Sequence, residues 1–142
     1  MKKISFLFVI FLLVSCGATA TKVTVKKPLF EVLTQQSDGG GNINFYEILT
    51  ESNEIKMLQN DKKLRNKISA LDVQKSNFVI LNMGEKNTGG YSIGIESVVE
   101  TKENIIINVK ESSPEPGSMV TQVITYPFCV VKINSKKEII IK

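Results

Sequence analysis

Phe78-Val79-Ile80-Leu81-Asn82-Met83 decides the fold, because this apolar run has the length and composition of a buried β-strand. On both sides of it, β-branched residues alternate with polar ones, which is typical of further strands. Because the strands follow one another through short links, an antiparallel arrangement is favoured. The predicted strands, besides residues 78–83, are 29–33, 43–49, 91–99, 103–110, 119–125, 128–133 and 138–141.

Residues 51–67 have a different composition, rich in Glu, Lys, Leu, Gln and Arg and free of glycine and proline, which predicts a helix. Met57, Leu64, Ile68 and Leu71 recur at helical spacing and form one apolar stripe that suits packing on a sheet. The expected fold class is therefore α+β, mainly β: an antiparallel sheet or sandwich with one helix packed on it.

Residues 1–15 have the pattern of a bacterial export signal. Met1-Lys2-Lys3 is basic, and residues 4–14 are apolar except for Ser5, in the order that a secretory signal requires. This core is shorter than the about 20 apolar residues that a membrane-spanning helix needs. The stretch Leu13-Val14-Ser15-Cys16 resembles the lipobox of bacterial lipoproteins, in which the cysteine thiol is joined to diacylglycerol and the signal is cut before it. The resemblance predicts lipidation of Cys16; the alternative is an ordinary signal peptide that contains a cysteine.

The rest of the chain divides into a tether, expected at residues 16–28, and one globular domain, expected at residues 29–142. The start of the tether is small and polar, as flexible linkers are. Gly17 follows the lipobox cysteine where aspartate would mark retention in the inner membrane of Gram-negative bacteria. The expected location is therefore the cell envelope, anchored by the Cys16 lipid, with the outer membrane favoured.

The charge balance gives no sign of a nucleic-acid partner. The chain has 18 basic and 14 acidic side chains, and loss of Lys2 and Lys3 with the signal brings the two signs nearly level. The remaining lysines are scattered, without the basic stripe and interleaved aromatics of a nucleic-acid surface. The membrane, through the lipid on Cys16, is the first expected partner.

The residue types argue against catalysis and against a metal site. The chain has no histidine, which removes the commonest general base and the commonest metal ligand. Cys129 lies in an apolar run, where a buried and unreactive thiol is expected. The glycine-rich stretch of residues 38–42 lacks the Gly-Lys-Ser/Thr ending of a phosphate loop and the ligand spacing of an EF-hand. We expect no enzyme, no cofactor and no bound metal.

Three motifs in series give a resemblance to a known family. Gly84-Glu85-Lys86-Asn87-Thr88-Gly89-Gly90-Tyr91 is followed by Pro114-Glu115-Pro116-Gly117 and then by Gln122-Val123-Ile124-Thr125-Tyr126-Pro127. This order resembles the C-terminal domain of the PrcB-type protease-complex subunit family. The resemblance reaches from Leu49 to the C-terminus, with two departures. Val73 stands where the family usually has an aromatic residue, and the tryptophan often found in its helix is missing.

The resemblance implies a non-catalytic role, namely binding and stabilising another exported protein, for which a subtilisin-like protease is the first candidate. If the three connections lie at one end of a sandwich, they would form a composite binding surface. Two readings stay open at this point: the glycines serve a hairpin and Tyr91 belongs to the core, or these residues contact a partner. The candidate partner-binding residues are Thr88, Gly89, Gly90, Tyr91, Pro114, Pro116, Gly117, Tyr126 and Pro127.

A second resemblance exists only at the level of loops. Thr88-Gly89-Gly90-Tyr91 and Tyr126-Pro127 look similar in kind to two of the three inhibitory loops of chagasin-type inhibitors of cysteine proteases. The middle loop has no convincing counterpart. The alternative function is therefore a loop-based protease inhibitor.

Overall fold

The apolar run around Phe78 is one of the two interior strands of a four-stranded sheet in a computed structural model, which describes residues 27–142. The export signal, Cys16 and most of the tether lie outside the described residues. The strands are β1 (Phe30–Gln36), β2 (Asn44–Leu49), β3 (Asn77–Met83), β4 (Ser92–Glu100), β5 (Asn104–Ser112), β6 (Phe128–Ile133) and β7 (Glu138–Ile141). The helices are α1 (Ser52–Leu58), a 3₁₀ turn (Arg65–Lys67) and α2 (Ala70–Lys75).

The strands form two sheets, which confirms the α+β, mainly β, class. The first sheet has the order β1-β6-β3-β2 and is antiparallel throughout, whereas the second has the order β4-β5-β7. Only β5 and β7 pair in parallel, which departs from the purely antiparallel expectation. The reason is that residues 134–137 do not close a hairpin but carry the chain from the first sheet into the second.

The run around Phe78 is continuously apolar because both faces of β3 are covered. Val79, Leu81 and Met83 belong to the core between the two sheets. Phe78 lies on the other face, in a second core that includes buried residues of the helical segment. Each fully buried side chain of this kind stabilises the fold by about 1.5–3 kcal/mol. The alternation of apolar and polar residues is therefore absent in β3, because this sheet lies between the second sheet and the helical segment.

The prediction of a single helix over residues 51–67 is wrong, because the helix ends at Leu58 and only a short 3₁₀ turn follows. At about 100° per residue, a continuous helix would place Ile55 and Leu64 on opposite sides, yet both are buried in the same core. The break lets both reach it, and Asp61 stabilises the turn by accepting a hydrogen bond from the Lys63 amide at 2.6 Å. Met57 and Leu71, taken as part of the apolar stripe, are 70% and 48% exposed.

The strand predicted for residues 119–125 is also wrong. This segment makes one isolated bridge, between Thr125 and Lys86. Val123 and Ile124 are neighbours in sequence, so a strand would place them on opposite faces, and both are exposed. Apart from Thr125 at its end, no residue of the segment is buried, so packing does not stabilise an extended ladder. Among the residues that the structure describes, no helix has the length and apolar character needed to span a membrane.

Candidate functional site

The loops that carry the three motifs meet at one end of the two sheets. β3 ends and β6 begins there, and residues 84–91 and 113–127 fold over this end with residues 37–43. We call these three segments together the loop face. The structure thus brings together all nine predicted partner-binding residues, although they come from separate parts of the sequence.

The glycines of the first motif are required by close packing against the second. Gly89 is buried, and its amide donates to the Thr121 carbonyl at 2.9 Å. A Cβ on Gly89 would lie 2.3 Å from Thr121 Oγ1, and a Cβ on Gly90 would lie 2.9 Å from Cβ of Pro114. Gly90 also has a φ of +90°, which L side chains adopt at a cost. These two glycines therefore have a structural function in the loop face.

Tyr91 is half-buried and packs against the core between the sheets. The Lys86 ammonium lies 5.6 Å from the centre of the Tyr91 ring, within the range of a cation–π contact. Thr88 is half-buried as well, and its carbonyl accepts a hydrogen bond from the Thr125 hydroxyl at 2.8 Å. Thr88 is therefore held by a neighbouring loop and Tyr91 by the core, and both offer only part of their surface to solvent.

The Pro-Gly loop forms a tight turn at the outer edge of the loop face. The Ser118 amide donates to the Glu115 carbonyl at 3.0 Å, and Gly117 has a φ of +80°. Proline followed by glycine at the two central positions is the preference of a type II turn. Pro116 and Gly117 are exposed, whereas Pro114 is half-buried against Gly90.

Tyr126 is tied to two acidic residues of neighbouring loops. Its hydroxyl donates to Glu85 Oε2 at 3.1 Å, and its amide donates to Asp38 Oδ1 at 3.2 Å. The hydrogen bond to Glu85 raises the pKa of the Tyr126 phenol. Pro127 is buried, and its carbonyl accepts from the Met83 amide at 2.9 Å. Of this pair, only Tyr126 presents side-chain surface to solvent.

The glycine-rich loop at residues 37–43 belongs to the loop face, which the sequence motifs did not indicate. Asn82, only 1% exposed, accepts from the Gly41 amide at 2.9 Å and donates to the Gly41 carbonyl at 2.8 Å. The Gly40 amide donates to the Tyr126 carbonyl at 2.9 Å. A polar Asn within the apolar β3 run was the available signal, because a buried amide requires hydrogen-bond partners.

The loop face also carries exposed apolar residues that the sequence motifs did not indicate. Met119 is fully exposed, and Val123, Ile124 and Ile43 expose more than half of their side chains. Three of them, Met119, Val123 and Ile124, lie in the segment that was wrongly predicted as a strand. Exposed apolar side chains on these loops offer the kind of surface with which proteins bind one another.

The side chains of the described residues are not grouped as a metal ion requires. Residues 27–142 contain no cluster of three or more acidic or cysteine side chains that could hold a metal ion. Cys129 is completely buried, as the sequence predicted, and burial raises the pKa of its thiol to about 11. What the loop face offers is shape, apolar surface and hydrogen-bonding groups, which are the means of binding another protein.

Comparison with known proteins identifies the same part of the chain. No curated protein matches the sequence, and no solved structure does so either. Residues 77–134 match the family described as PrcB C-terminal, so the match spans β3 to β6 and contains all three motifs. It leaves out α1 and α2, which the resemblance had included. The match confirms, for residues 77–134, the resemblance to the PrcB-type family that was drawn from the motifs.

Proposed function

We propose that this protein is a lipid-anchored, non-catalytic subunit of the bacterial cell envelope that binds and stabilises another exported protein through its loop face. The family suggests a role associated with a protease complex. The proposed partner is therefore an exported protease, for which a subtilisin-like enzyme is the first candidate. The lipid on Cys16 would hold the complex at a membrane, with the outer membrane favoured.

The observation that carries the proposal is the convergence of the three motif loops beside exposed apolar side chains. Gly89 and Gly90 allow the loops to pack closely. Because they are packed and hydrogen-bonded to one another, the loops form a surface that loses little conformational entropy on binding. Met119, Val123 and Ile124 supply the apolar contact area.

The direction of the chain supports the same arrangement. Pro28 lies at the end of the sheets opposite to the loop face, where its carbonyl accepts from Asn134 Nδ2 at 2.7 Å. We call this the tether end. With Cys16 in the membrane, the tether would enter the domain there, and the loop face would point away from the lipid surface toward a partner.

Crosslinking of the native envelope, followed by capture of the tagged full-length protein, tests the proposal. We expect one predominant exported protein to be recovered. Replacing Met119 and Val123 together by serine should reduce its recovery at least fivefold, as for the loss of contact residues worth about 1 kcal/mol or more. The matched control is Val99→Ser, at a half-exposed valine on β4 outside the loop face.

Two outcomes would overturn the proposal. One is that the wild-type protein captures no envelope protein under crosslinking. The other is that the double serine variant captures the partner as well as Val99→Ser does, with both variants folded by circular dichroism.

The inhibitor alternative receives less support from the geometry. Gly89 is buried beneath Thr121 and Tyr91 is half-buried, so the first loop does not project freely, as insertion into a protease cleft would require. Titration of the purified protein against papain-like and subtilisin-like proteases tests this alternative directly. Slowing of a papain-like enzyme at stoichiometric concentrations would favour inhibition over the binding role.

A further inference from the structure

β2 is an edge strand with an unusual amount of exposed surface. It pairs with β3 in uninterrupted register over its whole length, and its other edge is free of strand partners in the described part of the chain. Every residue from Asn44 to Ile48 is exposed, including Phe45 and Tyr46. An exposed edge of this kind is a template for an additional strand.

The other sheet edges carry features that discourage pairing. β1 and β4 are each interrupted by an irregularity in register, and the Gln35 amide of β1 donates to the Ile93 carbonyl of β4 at 2.9 Å. β7 has only four residues and is flanked by lysines on both sides. β2 has no bulge, no lysine and no proline, the devices with which proteins protect an edge.

The backbone of β2 is oriented for strand addition. The Met83 amide donates to Pro127, on the β6 side of β3, so alternation directs the backbone groups of Asn82, Ile80 and Phe78 toward β2. The residues of β2 paired with them, Phe45, Glu47 and Leu49, therefore direct their N–H and C=O groups toward β3. The N–H and C=O groups of Asn44, Tyr46 and Ile48 point outward, away from β3.

The side chains beside this edge indicate the chemistry of the segment that would pair with it. On the face of the sheet that carries the helices, Glu47 and Glu54 border a groove of about 260 Å³. The other residues that line it are apolar: Leu49, Met57, Leu58 and Ile80. On the opposite face, Glu111 accepts a hydrogen bond from the Tyr46 hydroxyl at 2.8 Å. The edge thus has a largely apolar groove on one face and the Glu111 carboxylate on the other, which complements a strand that alternates aliphatic and basic side chains.

A second copy of this chain fits the edge poorly. Two β2 strands pairing antiparallel would point their tether ends in opposite directions, so the two lipid anchors would not face one membrane. The chain's own residues before Lys27 also fit poorly. The tether enters beside β1, and three strand spacings of about 4.8 Å separate β1 from β2. Crossing the sheet, roughly 14 Å, takes about four extended residues, which uses up the basic and aliphatic stretch next to the domain, Val23-Thr24-Val25-Lys26.

We propose that β2 is a strand-addition site that binds an extended, basic and aliphatic segment of the partner protein. The segment would form backbone hydrogen bonds to the outward groups of Tyr46 and Ile48. Its aliphatic side chains would cover the groove, and its basic side chains, which alternate to the opposite face of the sheet, would lie near Glu111. This is a second contact surface, separate from the loop face, and it rests on the proposed binding function only for the identity of its partner.

The experiment measures fluorescence anisotropy of a labelled peptide, Lys-Val-Lys-Val-Lys-Val, with the full-length protein in an uncharged detergent. The acidic peptide Glu-Val-Glu-Val-Glu-Val and the strand-breaking peptide Lys-Pro-Lys-Pro-Lys-Pro should each bind at least tenfold more weakly. Tyr46→Pro removes an outward N–H, which an edge strand tolerates, and should weaken binding of the basic peptide at least tenfold. The matched control Tyr46→Val keeps the N–H and should bind within threefold of wild type.

Hydrogen exchange provides a second measurement that does not depend on a variant. Addition of the basic peptide should slow exchange of the Tyr46 and Ile48 amides at least tenfold, with little change at Glu47. Equal binding of the acidic peptide, equal binding by Tyr46→Pro, or unchanged exchange at Tyr46 and Ile48 would overturn the proposal. Such a failure would leave envelope capture through the loop face intact, so the two proposals fail separately.

Discussion

At the scale of the residue, Gly90 provides the clearest test of how the loop face is built. Gly90→Ala combines a positive φ with a Cβ 2.9 Å from the Pro114 ring, and the ring cannot rotate away. We expect the free energy of unfolding to fall by about 2 kcal/mol, from backbone strain and overpacking together. Urea denaturation measures this loss.

The control for Gly90→Ala is Gly41→Ala in the same loop face. A Cβ on Gly41 would meet its nearest atom at 3.5 Å, an ordinary contact, so this variant should stay within about 0.5–1 kcal/mol of wild type. Equal stability of the two variants would contradict the packing account of the first motif.

The residues of the motifs also show what sequence can and cannot predict here. Glycine and proline indicated the positions of the turns, because their backbone preferences are local. The sequence could not predict the contact between Gly89 and Thr121. This contact depends on the path that residues 113–127 take across the loop face.

At the scale of the element, strands were predicted better than helices. Strand identity follows from short apolar runs, so all seven strands of the structure were anticipated, with ends displaced by a few residues. The apolar face of the helical segment was assigned wrongly. A helical period can be drawn through Met57, Leu64, Ile68 and Leu71, but it can be drawn just as well through Ile55 and Leu58. Only the tertiary fold decides that Ile55 and Leu64 must share a core, which overrides local propensity.

α2 is fixed to the first sheet by a buried charge pair. Asp72 caps α2 by accepting from the Ser69 amide at 2.9 Å, and its other oxygen lies 3.6 Å from Lys132 Nζ on β6. Burial alone would raise the pKa of Asp72, but the hydrogen bonds from Ser69 and the charge of Lys132 outweigh it and hold the pKa below the ordinary 3.8. The ionised carboxylate is thus the form that the fold stabilises.

We therefore expect Asp72→Asn to lower the free energy of unfolding by about 2 kcal/mol at pH 7, typical of a lost hydrogen bond to a charged group. A depressed pKa stabilises the fold above the unfolded-state value, and this stabilisation is lost as pH falls through the folded value. The difference between wild type and variant should therefore shrink below pH about 4. Urea denaturation at pH 7, 4 and 3 measures it.

Glu31→Gln is the control for this pH dependence. Glu31 also pairs with Lys132, at 2.8 Å, but its side chain is half-exposed, so its removal should cost less than about 1 kcal/mol. If Asp72→Asn were equally destabilising at pH 7 and at pH 3, the charge pair would not be the reason for the loss.

At the scale of the whole molecule, the two ends of the sheets have different functions in the proposed arrangement. The tether end receives the chain at Pro28, and the loop face lies beyond the far end of β1. With a rise of about 3.3 Å per residue, the strand alone separates the two ends by roughly 20 Å. A lipid on Cys16 would then confine the loop face to a thin layer next to the membrane, which raises the effective concentration of a partner anchored in the same layer.

Cys16→Ser tests this consequence at native expression. The variant should move from the membrane to the soluble fraction and recover at least tenfold less crosslinked partner, because a weak contact loses its effective concentration. Its thermal unfolding should match that of the wild-type domain, since Cys16 lies outside residues 27–142. Cys129→Ala is the matched control: it removes the other, buried cysteine and should stay in the membrane fraction with its partner. If soluble Cys16→Ser recovered as much crosslinked partner as the wild type does, the loop face would bind tightly without the anchor. The lipid would then serve only to localise the protein.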